Sequence, residues 1–282
     1  MNSINEINWY PGHMKKAVDR IKERLKECDG VIEMGDARAP LSSFPSYLDS
    51  VVGDGNRVLI FSKNDLADQA VLKKHVENYE SRGVKTFFLD VRDYKSCKPL
   101  FSYLSSLKTK QDEKYAKLGF PAPAKRYMVL GIPNVGKSTF INTLSKKKKT
   151  AVENRPGKTR TETLIKVSDS LSIFDSPGVL EPNYEDKNEI TKLALLGSVK
   201  AEILPLIALS DYCLDFLKAN YPAYVPNRYG ATLSETDEEV FFEIASKRNF
   251  LLPEGKYDEM RARTTLLNDF KSGALGKVCL DV

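Results

Sequence analysis

Apolar positions set out the architecture before any chemistry is considered. Met14, Ala17, Val18, Ile21, Leu25 and Cys28 recur at helical spacing, with Lys15, Lys16, Arg20, Lys22 and Lys26 between them. That pattern predicts an amphipathic helix with a basic outer face. Short apolar runs bounded by turn residues follow at 30–34, 57–61, 86–91, 126–130, 164–167 and 171–174, and these read as strands. Helical stretches at 66–80 and 100–107 alternate with them. Such alternation predicts an α/β domain with a mostly parallel sheet flanked by helices on both faces. After Asp186 the pattern changes. Stretches at 190–209, 211–220, 237–248 and 257–270 have helical periodicity, separated by Pro222, Pro226, Gly230, Pro253 and Gly255. The expected organisation is therefore an α/β domain at 1–186 followed by a small all-α domain at 187–282.

Charge sharpens this division. The chain of 282 residues carries a net charge of +5. Residues 187–282 hold 12 Lys plus Arg against 14 Asp plus Glu, which leaves +7 on residues 1–186. The basic residues cluster at Lys146–Lys149, at Arg155, Lys158 and Arg160, and along Lys108, Lys110, Lys114, Lys117, Lys125 and Arg126. A surface of this kind attracts nucleic-acid phosphates in a salt-dependent way, although any single lysine is as readily a solvated one. No apolar run reaches the eighteen residues of a membrane span, and residues 1–20 lack a signal-peptide core, so the expectation is a soluble, cytoplasmic protein without a membrane partner. Cys28, Cys97, Cys213 and Cys279 have no Cys-x-x-Cys spacing, which argues against a zinc site or a disulfide framework.

The candidate chemistry is concentrated in Gly131-Ile-Pro-Asn-Val-Gly-Lys-Ser138, between the apolar run 127–130 and the helical pattern 139–144. This is the strand, glycine loop and helix context of a phosphate-binding P-loop. Gly131 and Gly136 let the chain turn and bring backbone N–H groups onto phosphate oxygens, and the helix adds the positive end of its dipole. Pro133, Asn134, Val135, Gly136, Lys137, Ser138 and Thr139 are the candidate phosphate contacts, with Lys137 reaching the β and γ phosphates and Ser138 a ligand of Mg²⁺. Asp175-Ser-Pro-Gly178 follows the last strand. It offers a carboxylate for the metal and the Gly178 N–H for a γ-phosphate. Between the two, Arg155-Pro-Gly-Lys-Thr159 reads as a switch segment in which Thr159 adds a second hydroxyl to Mg²⁺.

Upstream, 59–61 runs into Ser62-Lys63-Asn64-Asp65. This resembles the Asn-Lys-x-Asp guanine-specificity motif of GTPases, with Ser62 where Asn is usual, so Ser62, Lys63 and Asp65 are the candidate base contacts. A carboxylate that accepts two hydrogen bonds from guanine finds no such donors on adenine. Here the motif precedes the P-loop, the order found in circularly permuted GTPases. Asn8-Trp-Tyr-Pro-Gly-His-Met-Lys-Lys-Ala17 and Gly35-Asp-Ala-Arg-Ala-Pro40 resemble two signatures of the bacterial ribosome biogenesis GTPase A family. The resemblance implies a circularly permuted P-loop GTPase fold, GTP and GDP as ligands, and hydrolysis stimulated by potassium and by ribosomes. It also implies the large ribosomal subunit, with its RNA and proteins, as partner of a protein that is otherwise monomeric. It assigns K⁺ to Asn134 and catalysis to His13, because Val179 after Asp175-Ser-Pro-Gly178 is aliphatic and cannot orient water. The residues alone also admit His13 as a helix cap. They leave open an RNA-binding module with incidental turnover, or an ATP-using P-loop enzyme. Leu89-Asp-Val-Arg92 stands where a last base-contacting loop is expected, and no residue of it is assigned.

Overall fold

The computed structural model describes residues 12–52, 56–147, 164–178, 186–199, 204–234 and 236–282; the side chains of residues 12–15, 17, 110 and 147 lie outside that description. The described residues divide into two compact units. In chain order the elements are α1 (Gly12–Leu25), β1 (Gly30–Asp36), α2 (Tyr47–Val52), β2 (Asn56–Ser62), a single 3-10 turn (Asn64–Leu66), α3 (Gln69–Ser81), β3 (Lys85–Phe88), α4 (Lys98–Ser106), α5 (Lys110–Lys117), β4 (Lys125–Gly131), α6 (Lys137–Lys147), β5 (Leu164–Ser168), β6 (Leu171–Phe174), α7 (Lys187–Leu195), α8 (Leu206–Asn220), α9 (Tyr224–Tyr229), α10 (Asp237–Lys247) and α11 (Glu259–Ser272).

The first unit, residues up to Asn64 and from Leu72 to Gly178, is a six-stranded sheet in the order β3-β2-β1-β4-β6-β5. All pairs are parallel except β5 with β6. Every residue of β1 is buried, as a central strand covered on both faces requires. Val18 and Ile21 of α1 pack with Val31, Val51, Met128, Leu130 and Phe174 on one face. On the other, the Tyr127 hydroxyl donates to Leu104 O in α4, and Phe101 meets Phe140 of α6 with ring centroids 6.4 Å apart. From β1 the strand sequence runs outward through β2 and β3, and from β4 through β6 and β5. The topological switch point therefore lies between β1 and β4, and in open α/β sheets ligands bind beyond the carboxyl ends of the strands there.

The second unit comprises Asp65–Val71 and the described residues from Asp186 onward. Its helices pack through Ile190, Leu193, Leu209, Leu214, Val240, Ile244, Leu266 and Phe270, all buried. Two details differ from the periodicity. The stretch 190–209 is not one helix: α7 stops at Leu195, and α8 begins after Pro205, which lacks the N–H a helix interior needs. Nor is 66–80 continuous. Ala67 forms a parallel bridge with Val278, Val278 N donates to Leu66 O and Asp68 N to Val278 O, so α3 starts only beyond Asp68, whose carboxylate accepts from Ala70 N. Among the described residues no helix is long and apolar enough to cross a membrane, and the four cysteines are free thiols.

One core residue carries a charge problem. Glu33 is wholly buried in β1, and burial pushes its carboxyl up to about 7 although the Arg57 guanidinium lies 2.5 Å away and opposes the shift. Neither Glu33 oxygen is in hydrogen-bonding geometry, whereas Arg57 is partly exposed and also pairs with Asp49, so desolvation falls on the carboxylate. A carboxyl whose value is higher in the folded than in the unfolded chain takes up a proton on folding; its contribution is full below about 4.5 and is lost as pH rises through about 7. Denaturant unfolding at pH 5 and pH 8 checks this: on going from pH 5 to pH 8 the parent should lose ~2 kcal/mol relative to Glu33→Gln.

Candidate nucleotide-binding site

The carboxyl ends of β1, β2, β4 and β6 bring most of the singled-out residues of this unit to one edge of the sheet. β4 ends at Gly131, whose φ of 144° lies where side chains are not tolerated; an added Cβ would sit 2.2 Å from Met34 O on β1. The loop then turns through Asn134, exposed at φ 60°, an angle that asparagine tolerates better than most residues. Val135 is buried, Pro133 and Gly136 are half-buried, and Ser138 and Thr139 are exposed on the first turn of α6.

Lys137 points back into the loop. Its Nζ donates to Gly131 O at 2.9 Å and to Ile132 O at 2.6 Å, and the residue is 6% exposed. An ammonium has three donors, so two carbonyls leave one for an anion. Burial lowers its pKa to about 8, and the Asp175 carboxylate opposes that shift. Asp175, half-buried just beyond β6, is itself raised by burial, with Lys137 pulling it down. The following turn is anchored where Ser176 Oγ donates to Val129 O on β4. This anchoring carries Gly178 across the loop: a Cβ there would lie 3.0 Å from Pro133 Cα and 3.2 Å from Lys137 Nζ. The bare Gly178 backbone thus leaves a cradle above the lysine that any side chain would fill.

Beside this cradle, Ser62 is buried and its hydroxyl donates to Gly35 O at 2.8 Å, so the residue at the usual Asn position ties β2 to β1. Lys63 adopts φ 54° and its Nζ meets Asp36 Oδ2 at 2.8 Å. Asp65 is exposed and belongs to the second unit. The backbone of His13 lies in the first turn of α1 rather than ahead of the helix, because α1 begins one residue before it, and its side chain lies outside the described residues. Thr159 and the segment around it also lie outside them. Arg92 and Tyr94 beyond β3, with Thr139, Asn142, Thr143 and Lys146 of α6, line an open cavity of about 460 Å³. The only signal for it was the position of Leu89-Asp-Val-Arg92 after a strand.

Among the described residues no three His, Cys, Asp or Glu side chains gather to hold a metal unaided. Mg²⁺ that takes most of its ligands from phosphate and water needs no such cluster, and the Ser138 hydroxyl with the Asp175 carboxylate are the hard oxygen donors it prefers.

A mostly parallel sheet with this strand order, its glycine loop at the switch point and its Ser-Lys-x-Asp motif ahead of that loop in the chain, defines a P-loop GTPase domain of circularly permuted order. A family profile described as 50S ribosome-binding GTPase matches residues 126–234. Ribosome biogenesis GTPase A of Priestia megaterium is 34% identical over 98% of this chain and 96% of its own length, and that of Bacillus cereus is 33% identical over 98% and 93%. The solved structure of GNP-bound YlqF from T. maritima superposes with a TM-score of 0.60 at 24% identity, over 94% of this chain and 97% of that one. The chain belongs to the ribosome biogenesis GTPase A family.

The lysine supplies a pH signature. Polyphosphate binds the protonated ammonium and raises its pKa, so above about 8 binding must first restore the proton. GDP affinity should be level near pH 7 and fall by up to ~10-fold per pH unit above about 8, while Lys137→Met should be weak and level. Titration of a fluorescent GDP analogue across this range is the measurement.

Proposed function

We propose that this chain is a GTP-hydrolysing assembly factor for the large (50S) ribosomal subunit, its nucleotide state gating docking and release. The observation that carries the reading is the preformed phosphate cradle: Lys137 turned into the P-loop with Asp175 and the bare Gly178 backbone beside it. It is set in a chain similar over nearly its whole length to proteins named ribosome biogenesis GTPase A.

In this reading the Pro133–Thr139 loop takes the phosphates on backbone N–H groups and Lys137 moves its free donor to the β and γ oxygens. Ser62, Lys63 and Asp65 form the base-reading loop, with the Asp65 carboxylate accepting from guanine. Ser138, Thr159 and Asp175 would hold Mg²⁺, which draws charge from the phosphates when bound. Asn134, exposed in the loop, would help hold K⁺. The Gly178 N–H faces the γ-phosphate and signals its loss to the switch segments. His13 orients the attacking water once a ribosomal particle brings its side chain over the γ-phosphate, a task Val179 cannot perform. The basic surface of the α/β domain, carrying the exposed Lys146 and Arg126, meets ribosomal RNA, and the helical unit docks against RNA and ribosomal protein.

Sedimentation with large-subunit particles is the test of this function. Co-sedimentation should be strong with a non-hydrolysable GTP analogue and weak with GDP; equal binding in both states would overturn the gating role. For catalysis, His13→Ala should lower particle-stimulated single-turnover hydrolysis by ~10²-fold with GTP affinity nearly unchanged, because the contribution arises only in the transition state. Unaltered stimulated turnover would move the chemistry to the ribosomal partner.

A further inference from the structure

We propose that Asp36 is a positioning residue of the nucleotide site: clamped by Arg38, it holds Lys63, and through Lys63 the loop that reads the base. This inference rests on the reading of Ser62–Asp65 as that loop.

Asp36 ends β1 beside the switch point and is wholly buried. A buried carboxylate survives only with donors around it, and this one has four. Its Oδ1 accepts from Arg38 N at 3.1 Å and Arg38 Nε at 3.0 Å; its Oδ2 accepts from Arg38 Nη2 at 2.9 Å and Lys63 Nζ at 2.8 Å. Arg38, the largest fully buried side chain among the described residues, and Lys63 together hold the Asp36 carboxyl below the usual carboxylate range against burial.

The geometry separates two tasks. Asp36 and Arg38 are two residues apart, and their forked contact already pairs the two charges locally. The fourth bond, from Lys63 on the next strand, is not needed for that pairing; what it does is fix a lysine whose backbone is in the left-handed region at φ 54°. Two further ties act on the same corner. Ser62 Oγ donates to Gly35 O, and Ala37 N donates to Ser62 O at 2.9 Å. Residues 62–63 are thus tied to residues 35–37 by three bonds, and a conformation that an L-residue rarely adopts persists because its surroundings over-determine it. A lysine held in this way loses its rotamer freedom on folding rather than on binding, and its ammonium is occupied by Asp36, so it meets a nucleotide with its alkyl stem. The Asp-Ala-Arg triplet therefore preorganises a base contact without touching the ligand.

A double-mutant cycle tests this, with a fluorescent GDP analogue as probe, ATP as competitor, and thermal unfolding as a fold check. Asp36→Asn and Lys63→Met should each weaken GDP binding by ~10-fold and reduce guanine-over-adenine preference, and the double variant should be no weaker than the worse single one, since both break one device. If Asp36→Asn, which leaves the Arg38 charge buried, does not fold, Asp36→Asn with Arg38→Met removes both charges and takes its place in the cycle. Parent-like affinity in a folded Asp36 variant, or effects that simply multiply in the double, would overturn the proposal while leaving the base-reading loop in place. Lys63→Met binding GDP as the parent does would remove both.

Discussion

The close passage of Gly131 against the Met34 carbonyl is the constraint on which the rest of the site depends. Met34 and Gly131 are register partners on β1 and β4, and the space between them admits no Cβ. Because both strands are central and parallel, this pairing places the start of the phosphate loop at the switch point and aims α6 outward from it. The same parallel register brings Asp36, Ser62 and Asp175 to the same edge as the loop. A side chain at Gly131 would push β4 off β1, and the cradle around Lys137 would open with it. The site is thus held by strand pairing first and by its polar contacts second.

Around that constraint the buried charges follow a common logic. Lys137, Asp36 and Glu33 all lie inside the domain, yet they fare differently. Asp36 has four donors and is held low; Lys137 has two carbonyls and a half-buried carboxylate and is lowered; Glu33 has one guanidinium in poor geometry and is raised. The number and quality of partners, rather than depth of burial, separates these outcomes. Such perturbed groups gather at functional sites, and two of the three border the nucleotide cradle.

The boundary between the two units falls inside the Ser62–Asp65 segment. Ser62, Lys63 and Asn64 belong to the sheet domain, whereas Asp65–Val71 packs with the helices. The peptide bond into Asp65 is therefore the point at which one packing environment ends and another begins. Within the helical unit that segment is fastened by the bridge of Ala67 to Val278 and by Tyr221, whose hydroxyl donates to Asp68 and accepts from Cys279 N. Permutation is tolerated because sheet and helices are defined by packing and not by the order of the chain.

What the sequence determined by itself is the chemistry that local spacing encodes. The glycine loop between a strand and a helix, the carboxylate after β6 and the strand segments at 57–61, 126–130 and 171–174 follow from residue types that fix backbone angles and apolar periodicity. What only the tertiary structure decided depends on partners distant in the chain. Nothing near Ala67 announces that its backbone pairs with Val278, and the helical periodicity of 66–80 runs unbroken across it. Nothing in Gly35-Asp-Ala-Arg-Ala-Pro40 announces that Asp36 takes Lys63, twenty-seven residues on, as its fourth donor. The cavity between Arg92 and α6 likewise exists only once β3 and β4 stand in one sheet. Periodicity records which face of an element is buried; it carries no information about which distant group meets that face, and that pairing is fixed only when the sheet closes around it.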